Sequence, residues 1–488
     1  MDAIDETDSM NEAVHDEMSD ARGGPRDIPG AGRGRAGDPV MLDLDALRRG
    51  VAAGSIDTVL VVLTDMQGRL QGKRVDARFF LEDVASHATE GCSYLLAVDV
   101  DMRTVGGYAI SSWDTGYGDF VLRPDLSTLR PVPWHERSVL CHADVEWQDG
   151  SSVEESPRRI LERQASRLQE LGWTALAGTE LEFIVFDDTY EDAWRHGYRD
   201  MTPANSYNVD YSILGTSRIE PLLGRIRREM RAAGMAVESV KGECNLGQHE
   251  IAFRYAEIVS KADEHVVFKT GAKEIAAQEH KSLTFMAKFD EREGNSCHVH
   301  LSLRDAGGAP VFAGDTEDGT SEVLGSWLAG MLATLPDFTL LLAPNVNSYK
   351  RFADGSFAPT AVAWGRDNRT CAFRLVGHGP SLRVECRVPG GDVNPYLALA
   401  ALVAGGLHGV EHGLALEPEL RGNAYASDKE RIPTTLRDAM ERFASSAPAR
   451  KAFGDGVVDH YVNMARVELA AFDAAVTDWE RYRGFERL

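Results

Sequence analysis

The feature that most constrains this chain is a strand-forming run that carries two carboxylates on one face. In Gly178-Thr179-Glu180-Leu181-Glu182-Phe183-Ile184-Val185-Phe186, residues two apart share a face about 6.5–7 Å apart, so Glu180 and Glu182 project into one space. An isolated Glu-x-Glu is usually a solvated alternation. Here the intervening and flanking residues are apolar, which predicts a strand buried on its other face.

Three further segments repeat the pattern. Gly242-Glu243-Cys244-Asn245-Leu246-Gly247-Gln248-His249-Glu250-Ile251 sets two glutamates around a glycine-containing loop. Gly294-Asn295-Ser296-Cys297-His298-Val299-His300-Leu301-Ser302 has histidines at period two, and Ser381-Leu382-Arg383-Val384-Glu385-Cys386-Arg387-Val388 alternates Arg, Glu and Arg against apolar residues. Four such strands meeting would line a funnel with charge. Carboxylates buried at that density would repel one another and take up protons unless cations neutralised them. Five glutamates and one histidine suit two hard divalent ions, Mg²⁺ or Mn²⁺, better than zinc. The arginines suit carboxylate and phosphate. Metals and arginines around a phosphate-sized space point to phosphoryl transfer, yet neither a P-loop nor a G-x-G-x-x-G after a strand is present, so an unusual nucleotide site is expected.

Composition narrows the partners. The 488 residues are 43% hydrophobic and 26% charged, enough for two or three domains, and 76 acidic residues against 52 basic ones leave a charge of −24. Such a surface repels nucleic acid and anionic membranes. The longest apolar candidate, Leu397–Val410, is interrupted by Gly405, Gly406 and His408 and reads as a buried helix; with an acidic N-terminus, a cytoplasmic setting is expected. Six scattered cysteines without a C-x-x-C pair read as reduced thiols, with Cys297 and Cys386 pointing into packing.

Eight acidic residues in the first twenty, followed by a Gly/Pro/Arg-rich stretch, predict a disordered tail over residues 1–40. A helix at Leu42–Ala52, strands at Thr58–Thr64, Cys92–Val100 and Ser138–Val145, and a hairpin through MQGRLQGKRV suggest a small β-rich domain over residues 41–147. Ser156 caps and Gly172 stops a helix from Pro157, and beyond it strands alternate with amphipathic helices such as Glu220–Ala233 and Lys261–Glu279 in one large α+β domain over residues 148–488.

Together with Asn347-Ser348-Tyr349-Lys350-Arg351-Phe352, Asp367-Asn368-Arg369 and Asn394-Pro395-Tyr396-Leu397, the four segments resemble glutamine synthetases, in order from about residue 45 to the C-terminus. The resemblance implies an α+β fold: an N-terminal β-grasp domain, then a catalytic bifunnel domain, assembled as a homo-oligomeric dodecamer of two hexameric rings with active sites between subunits. It also implies ATP with two or three Mg²⁺ or Mn²⁺ ions as cofactors, and glutamate and a small amine as substrates. By motif, Glu182, Glu243 and Glu250 would hold the metal near glutamate, and Glu180, His298 and Glu385 the metal that clamps the ATP phosphates. Arg351, Arg387 and the Gly294 backbone would bind glutamate. Arg369 and Arg374 would neutralise the transferring phosphoryl group, and Glu238, His300, Ser302 and Arg383 would contact the nucleotide. The implied reaction passes through γ-glutamyl phosphate, which an amine then attacks.

The chain departs from ammonium-using members at the acceptor. Their guarding loop has a glutamate where Gly355-Ser356-Phe357-Ala358-Pro359 carries Phe357, and their ammonium-binding aspartate segment is absent around Val105–Trp113. An aromatic ring there suits an amine with a carbon skeleton. Asp119 matches the family's second aspartate and is a candidate to orient or deprotonate the amine; capping a turn is its alternative role. The Gly-Ser-Phe-Ala-Pro loop and Trp364–Arg369 resemble the branches that make γ-glutamylethanolamide or γ-glutamylpolyamines, with ethanolamine first and polyamines second. Ammonium-dependent synthesis and a non-catalytic relative are the remaining alternatives. Tyr425 lies near where some relatives are adenylylated but lacks the surrounding pattern, so no modification is expected.

Overall fold

A computed structural model describes residues 41–488; the expected disordered tail over 1–40 lies outside the described residues. Among the described residues two sheets form. The first contains β1 (Thr58–Thr64), β2 (Leu70–Asp76), β3 (Thr89–Cys92), β4 (Asp119–Pro124), β5 (Arg130–Pro131) and β6 (Ser138–Glu146), in the order β2-β1-β6-β4-β3 with β5 also on β6. β1 and β2 are the antiparallel hairpin expected from the MQGRLQGKRV turn. Both faces of β1 are covered: Val59, Val61 and Leu63 join a core with Leu47 of helix α1 (Leu44–Ala52), while Val62 packs into the larger core. That explains its uninterrupted apolar run.

The Cys92–Val100 segment departs from the strand expected there. Strand β3 ends at Cys92, and a 3₁₀ turn over Ser93–Leu96 follows. Its apolar residues pack inward from that turn, which a run too short for a clear period cannot reveal.

The second sheet contains β7 (Trp173–Phe186), β8 (Val237–Gly242), β9 (Gln248–Phe253), β10 (Ala256–Glu257), β11 (Ser282–Thr284), β12 (Cys297–Asp305), β13 (Trp364–Arg366), β14 (Phe373–Val376) and β15 (Arg383–Cys386). Its order is β13-β14-β15-β12-β7-β9-β8, with β10 and β11 also on β7. In β12, Cys297, Val299, Leu301 and Leu303 are buried in the core while the alternate histidines face the other way. Cys386 is likewise fully buried, and all six cysteines are free thiols.

Helices α2 (Pro157–Glu170), α3 (Glu220–Ala232) and α4 (Ile258–Gln278) pack on the sheet, and α5 (Glu322–Leu342), α6 (Pro395–His412) and α7 (Asp455–Ala474) join the same core by packing on other helices. Ser156 occupies the cap position of α2, but its side chain makes no capping hydrogen bond. α4 is not the amphipathic helix expected: Lys261, Asp263 and His265 are buried along with its apolar residues. Elements pack on several sides of it, and its polar side chains find interior partners, Lys261 Nζ donating to Arg254 O at 2.6 Å and His265 Nδ1 lying 3.2 Å from the Thr179 hydroxyl.

Asp263 belongs to a buried hub around Arg158. That guanidinium meets Asp125 at 2.7 Å, Glu162 at 2.9 Å and Asp263 at 3.2 Å, and also pairs with Asp144; the Tyr396 hydroxyl donates to Asp263 at 2.5 Å. The hub joins the first sheet to α2, α4 and α6. Helices α5 and α6 meet backbone to backbone, since a Cβ on Gly409 would lie 1.9 Å from Ser326 O. Among the described residues α5 alone is long and apolar enough to cross a membrane, and 72% of that window is buried inside the protein, as expected of a core helix.

Candidate active site

The polar face of the second sheet lines a cavity of about 1020 Å³. Strand register builds its wall by setting charged residues opposite one another: His298 faces Glu180, Glu182 faces Glu250, Lys241 faces Glu250, and Glu385 faces both His300 and Arg374. Period-two alternation on each strand then becomes a patch of charge spanning six neighbouring strands, from β14 to β8.

Among the described residues three groups of ligand atoms converge to within 4.8 Å: Glu180, His298 and Glu385 in the first, Glu182, Glu243 and Glu250 in the second, and Asp210, Glu243 and Cys244 in a more exposed third that shares Glu243. In the first, the Glu180 carboxylate contacts His298 at 3.4 Å and His300 at 2.9 Å. Burial raises its pKa, but these imidazole hydrogen bonds outweigh it and hold Glu180 well below the usual carboxylate range. Burial and Arg387 push the His298 imidazole below its usual value, which keeps a neutral ring available as a ligand. Glu385, buried but stabilised as an anion by His298 and Arg387, is held low. Its carboxylate accepts from Arg387 at 2.5 Å and Arg374 at 2.9 Å.

The second group is short of positive charge. Burial and the neighbouring Glu182 push Glu243 up to about 7, and burial with Glu180 and Glu182 raises Glu250 well above its ordinary value. Glu182 is fixed in place by the Ser296 N–H at 2.7 Å, the Ser296 hydroxyl at 2.5 Å and the Gln248 amide at 3.1 Å. Three oxygen donors with surplus negative charge and a braced geometry are what a hard divalent ion requires. The residues therefore fit the metals expected from the sequence.

Arginines surround these clusters. Arg351 is buried and donates to Val388 O at 2.9 Å; Arg387 donates to Arg369 O at 3.1 Å; Arg383 donates to His300 Nδ1 at 3.2 Å. Arg374 also pairs with Asp367. Gly294 is required where it stands, because a Cβ there would lie 2.2 Å from Ala287 O and 2.7 Å from Arg351 Cγ. Phe357 lines the cavity yet is 58% exposed, and it holds a left-handed φ of 58°. The loop carrying it is braced by the Tyr425 hydroxyl on Ala358 O at 3.1 Å and the Ser356 hydroxyl on Arg351 O at 3.1 Å.

Of the residues singled out from the sequence, the cavity wall includes Glu180, Glu182, Glu238, Glu243, Glu250, Gly294, His298, His300, Arg351, Phe357, Arg369, Arg374, Arg383 and Arg387, with Glu385 buried against it. Ser302 and Asp119 are not among its lining residues. Ser302 lies farther along β12, opposite Leu176. Asp119 is exposed at the start of β4 in the first sheet, where its carbonyl accepts from the Gln148 amide at 3.2 Å. Sequence reasoning missed Lys241, Gln248, Ser296, Asp210 and Tyr211. Lys241 was signalled by standing two residues before Glu243; the others arrive by tertiary contact.

Comparison with known proteins agrees with this geometry. The family "Glutamine synthetase, catalytic domain" matches residues 154–483. The chain is 64% identical over 447 residues to the gamma-glutamylethanolamide synthetase GlnA4 of Streptomyces coelicolor, covering 92% of this chain and 96% of that one. It is 38% identical to a glutamate–isopropylamine ligase of a Pseudomonas species, over 88% of this chain and 95% of that protein. A solved GmaS/ADP complex superposes with a TM-score of 0.79 at 26% identity, covering 90% of this chain and 99% of that one. A cavity walled by paired carboxylates, imidazoles and arginines, on a chain matching along nearly its whole length, places this protein in the glutamine synthetase family.

Proposed function

We propose that the protein joins the γ-carboxylate of glutamate to ethanolamine in an ATP-dependent reaction through γ-glutamyl phosphate. The observation that carries the ligase reading is the cavity itself, where two oxygen-rich clusters and a ring of arginines face one space. The choice of ethanolamine rests on the Streptomyces relative and on Phe357, which sets an apolar ring where a small-cation cage needs an anion.

In this reading Arg351 and Arg387 bind the glutamate carboxylates from their buried positions, and the Gly294 backbone closes against the substrate. Arg369, Arg374 and Arg383 orient the nucleotide phosphates and offset charge on the transferring group. Glu182, Glu243 and Glu250 would hold one divalent ion and Glu180, His298 and Glu385 another; when bound they neutralise phosphate and carboxylate charge. Glu238, His300 and Ser302 stand toward the nucleotide end. Asp119 reaches the acceptor only if the first sheet of a neighbouring copy caps the cavity, so the proposal includes a ring-forming homo-oligomer, a dodecamer of two hexamers. The division into a β-grasp domain over 41–147 and a catalytic domain over 148–488, and a cytoplasmic setting, belong to the same reading.

The test is phosphate release from ATP with glutamate, Mg²⁺ and one acceptor at a time: ethanolamine, putrescine, spermine or ammonium. Ethanolamine is expected to dominate. A polyamine in its place is the reading favoured by the charge of −24, which attracts polycations, and dominance of ammonium would overturn the role given to Phe357. Phe357→Glu should lower kcat/KM for ethanolamine by about tenfold while raising the ammonium-dependent rate.

A further inference from the structure

We propose that Lys241 is a displaceable internal counter-ion: its ammonium holds the Glu182, Glu243 and Glu250 cluster together without metal and swings onto Asp210 and Tyr211 when a divalent ion enters. The inference rests on reading that cluster as a metal site.

Its position carries the argument. Lys241 lies two residues before Glu243 on β8 and opposite Glu250 on β9, so its side chain enters the cluster from the strand itself. Its ammonium pairs directly with Glu243. On its other side Asp210 Oδ1 is 3.9 Å away, and the ring of Tyr211 lies beneath it at 4.8 Å. Oxygen atoms of Asp210 and Glu243 approach within 4.8 Å of each other, so the ammonium passes between them without crossing open space. Asp210 is more exposed than Glu243, their side chains being 34% and 13% exposed, which makes it the carboxylate left free for a lysine after the metal has taken the deeper one.

A lysine on Glu243 and a divalent ion on Glu243 compete for the same oxygens. Lys241 therefore keeps three buried carboxylates tolerable in the metal-free protein and weakens metal binding by the cost of moving away. Asp210 and Tyr211 lower that cost by offering a second anion and an aromatic face. The residue acts through the metal cluster and is a positioning residue.

Titration of the full-length protein with Mn²⁺ alone, without ATP or glutamate, followed by electron paramagnetic resonance, separates the possibilities. Glu250→Gln first identifies the binding step that belongs to this cluster; if no step weakens, the metal-site reading itself fails, independently of Lys241. Lys241→Met is expected to tighten that step about tenfold and to lower the melting temperature in EDTA, with Mn²⁺ restoring it. Lys241→Arg, which keeps the charge, should leave the step near the natural affinity. Asp210→Asn should weaken the step with Lys241 present and have no effect in the Lys241→Met background. An unchanged or weaker affinity in Lys241→Met, or an equal effect of Asp210→Asn in both backgrounds, would overturn the proposal.

Discussion

Two clusters of buried charge in this protein are built in opposite ways. Around Arg158 a guanidinium stands at the centre and Asp125, Asp144, Glu162 and Asp263 surround it, so the attraction is completed by the chain itself. In the cavity the carboxylates of Glu182, Glu243 and Glu250 surround a common point, with Lys241 paired at the margin. The first arrangement fastens elements together. On the proposed function the second leaves an attraction open for a cation from solution. Burial and neighbouring carboxylates raise Glu243 and Glu250, whereas in the hub burial raises Asp144 and Glu162 but the central Asp263, though buried, is held low by His142 and Arg158. On this reading buried charge serves cohesion where the cation is internal and would serve recognition where it is not.

The contrast breaks most sharply on exchange of function for stability. Glu250→Ala should lower the rate of phosphate release by at least about 100-fold. Its melting temperature in EDTA should not fall, because one of three repelling carboxylates is gone. Arg158→Met should do the reverse, destabilising the fold by about 3 kcal/mol, chiefly because buried Asp263 loses its guanidinium while Asp125, Asp144 and Glu162 keep access to solvent, as chemical or thermal unfolding would report. Saturating Mg²⁺ should stabilise the natural protein by about 2.7 kcal/mol at 100 times its dissociation constant, and this gain should survive in Arg158→Met but shrink in Glu250→Ala.

Smaller effects follow from protonation. Metal entering the Glu182, Glu243 and Glu250 cluster displaces protons held by the raised Glu243 and Glu250 carboxyls. Affinity should therefore rise with pH between about 6 and 8, with proton uptake by two buffers of different ionisation heat as the measure. At the hub, burial lowers His142 to about 4 despite Asp263, and burial lowers His249 to about 4 elsewhere in the core. Between pH 6.5 and about 4 the unfolded chain binds these protons and the folded one does not. The stability these two histidines contribute therefore falls as pH falls through that window, while the carboxyls of Glu162, Glu243 and Glu250, raised by burial, act in the opposite direction. The melting temperature of His142→Gln should lose less between pH 6.5 and 4 than that of the natural protein, and an equal change in the two would remove this contribution.

Much of the site was legible because its chemistry is written at period two. Glu180 and Glu182, His298 and His300, and Arg383, Glu385 and Arg387 each declare a shared face from sequence alone. Which face meets which could not be read, since pairing His298 with Glu180 or Lys241 with Glu250 depends on strand register over long separations. The same limit hid Ser296 and Gln248 as braces for Glu182. Helix Ile258–Gln278 misled for the opposite reason: its lysine, aspartate and histidine mark interior hydrogen bonds, where a pattern-based reading takes polar residues for solvent. The turn at Ser93–Leu96 was too short to carry a period of its own.

Phe357 gives the cavity mouth an unusual mechanical property. A bulky residue in the left-handed region carries about 1–2 kcal/mol of strain, so the backbone aims its ring, and the bracing from Tyr425 and Ser356 keeps it there. On the proposed function the loop would behave as an interchangeable bit in a fixed chuck: the charged residues stay on the sheet, while a change at one position would retool the protein for a different amine. Laboratory evolution toward new acceptors should accumulate its first substitutions at residues 355–358, leaving the strands untouched.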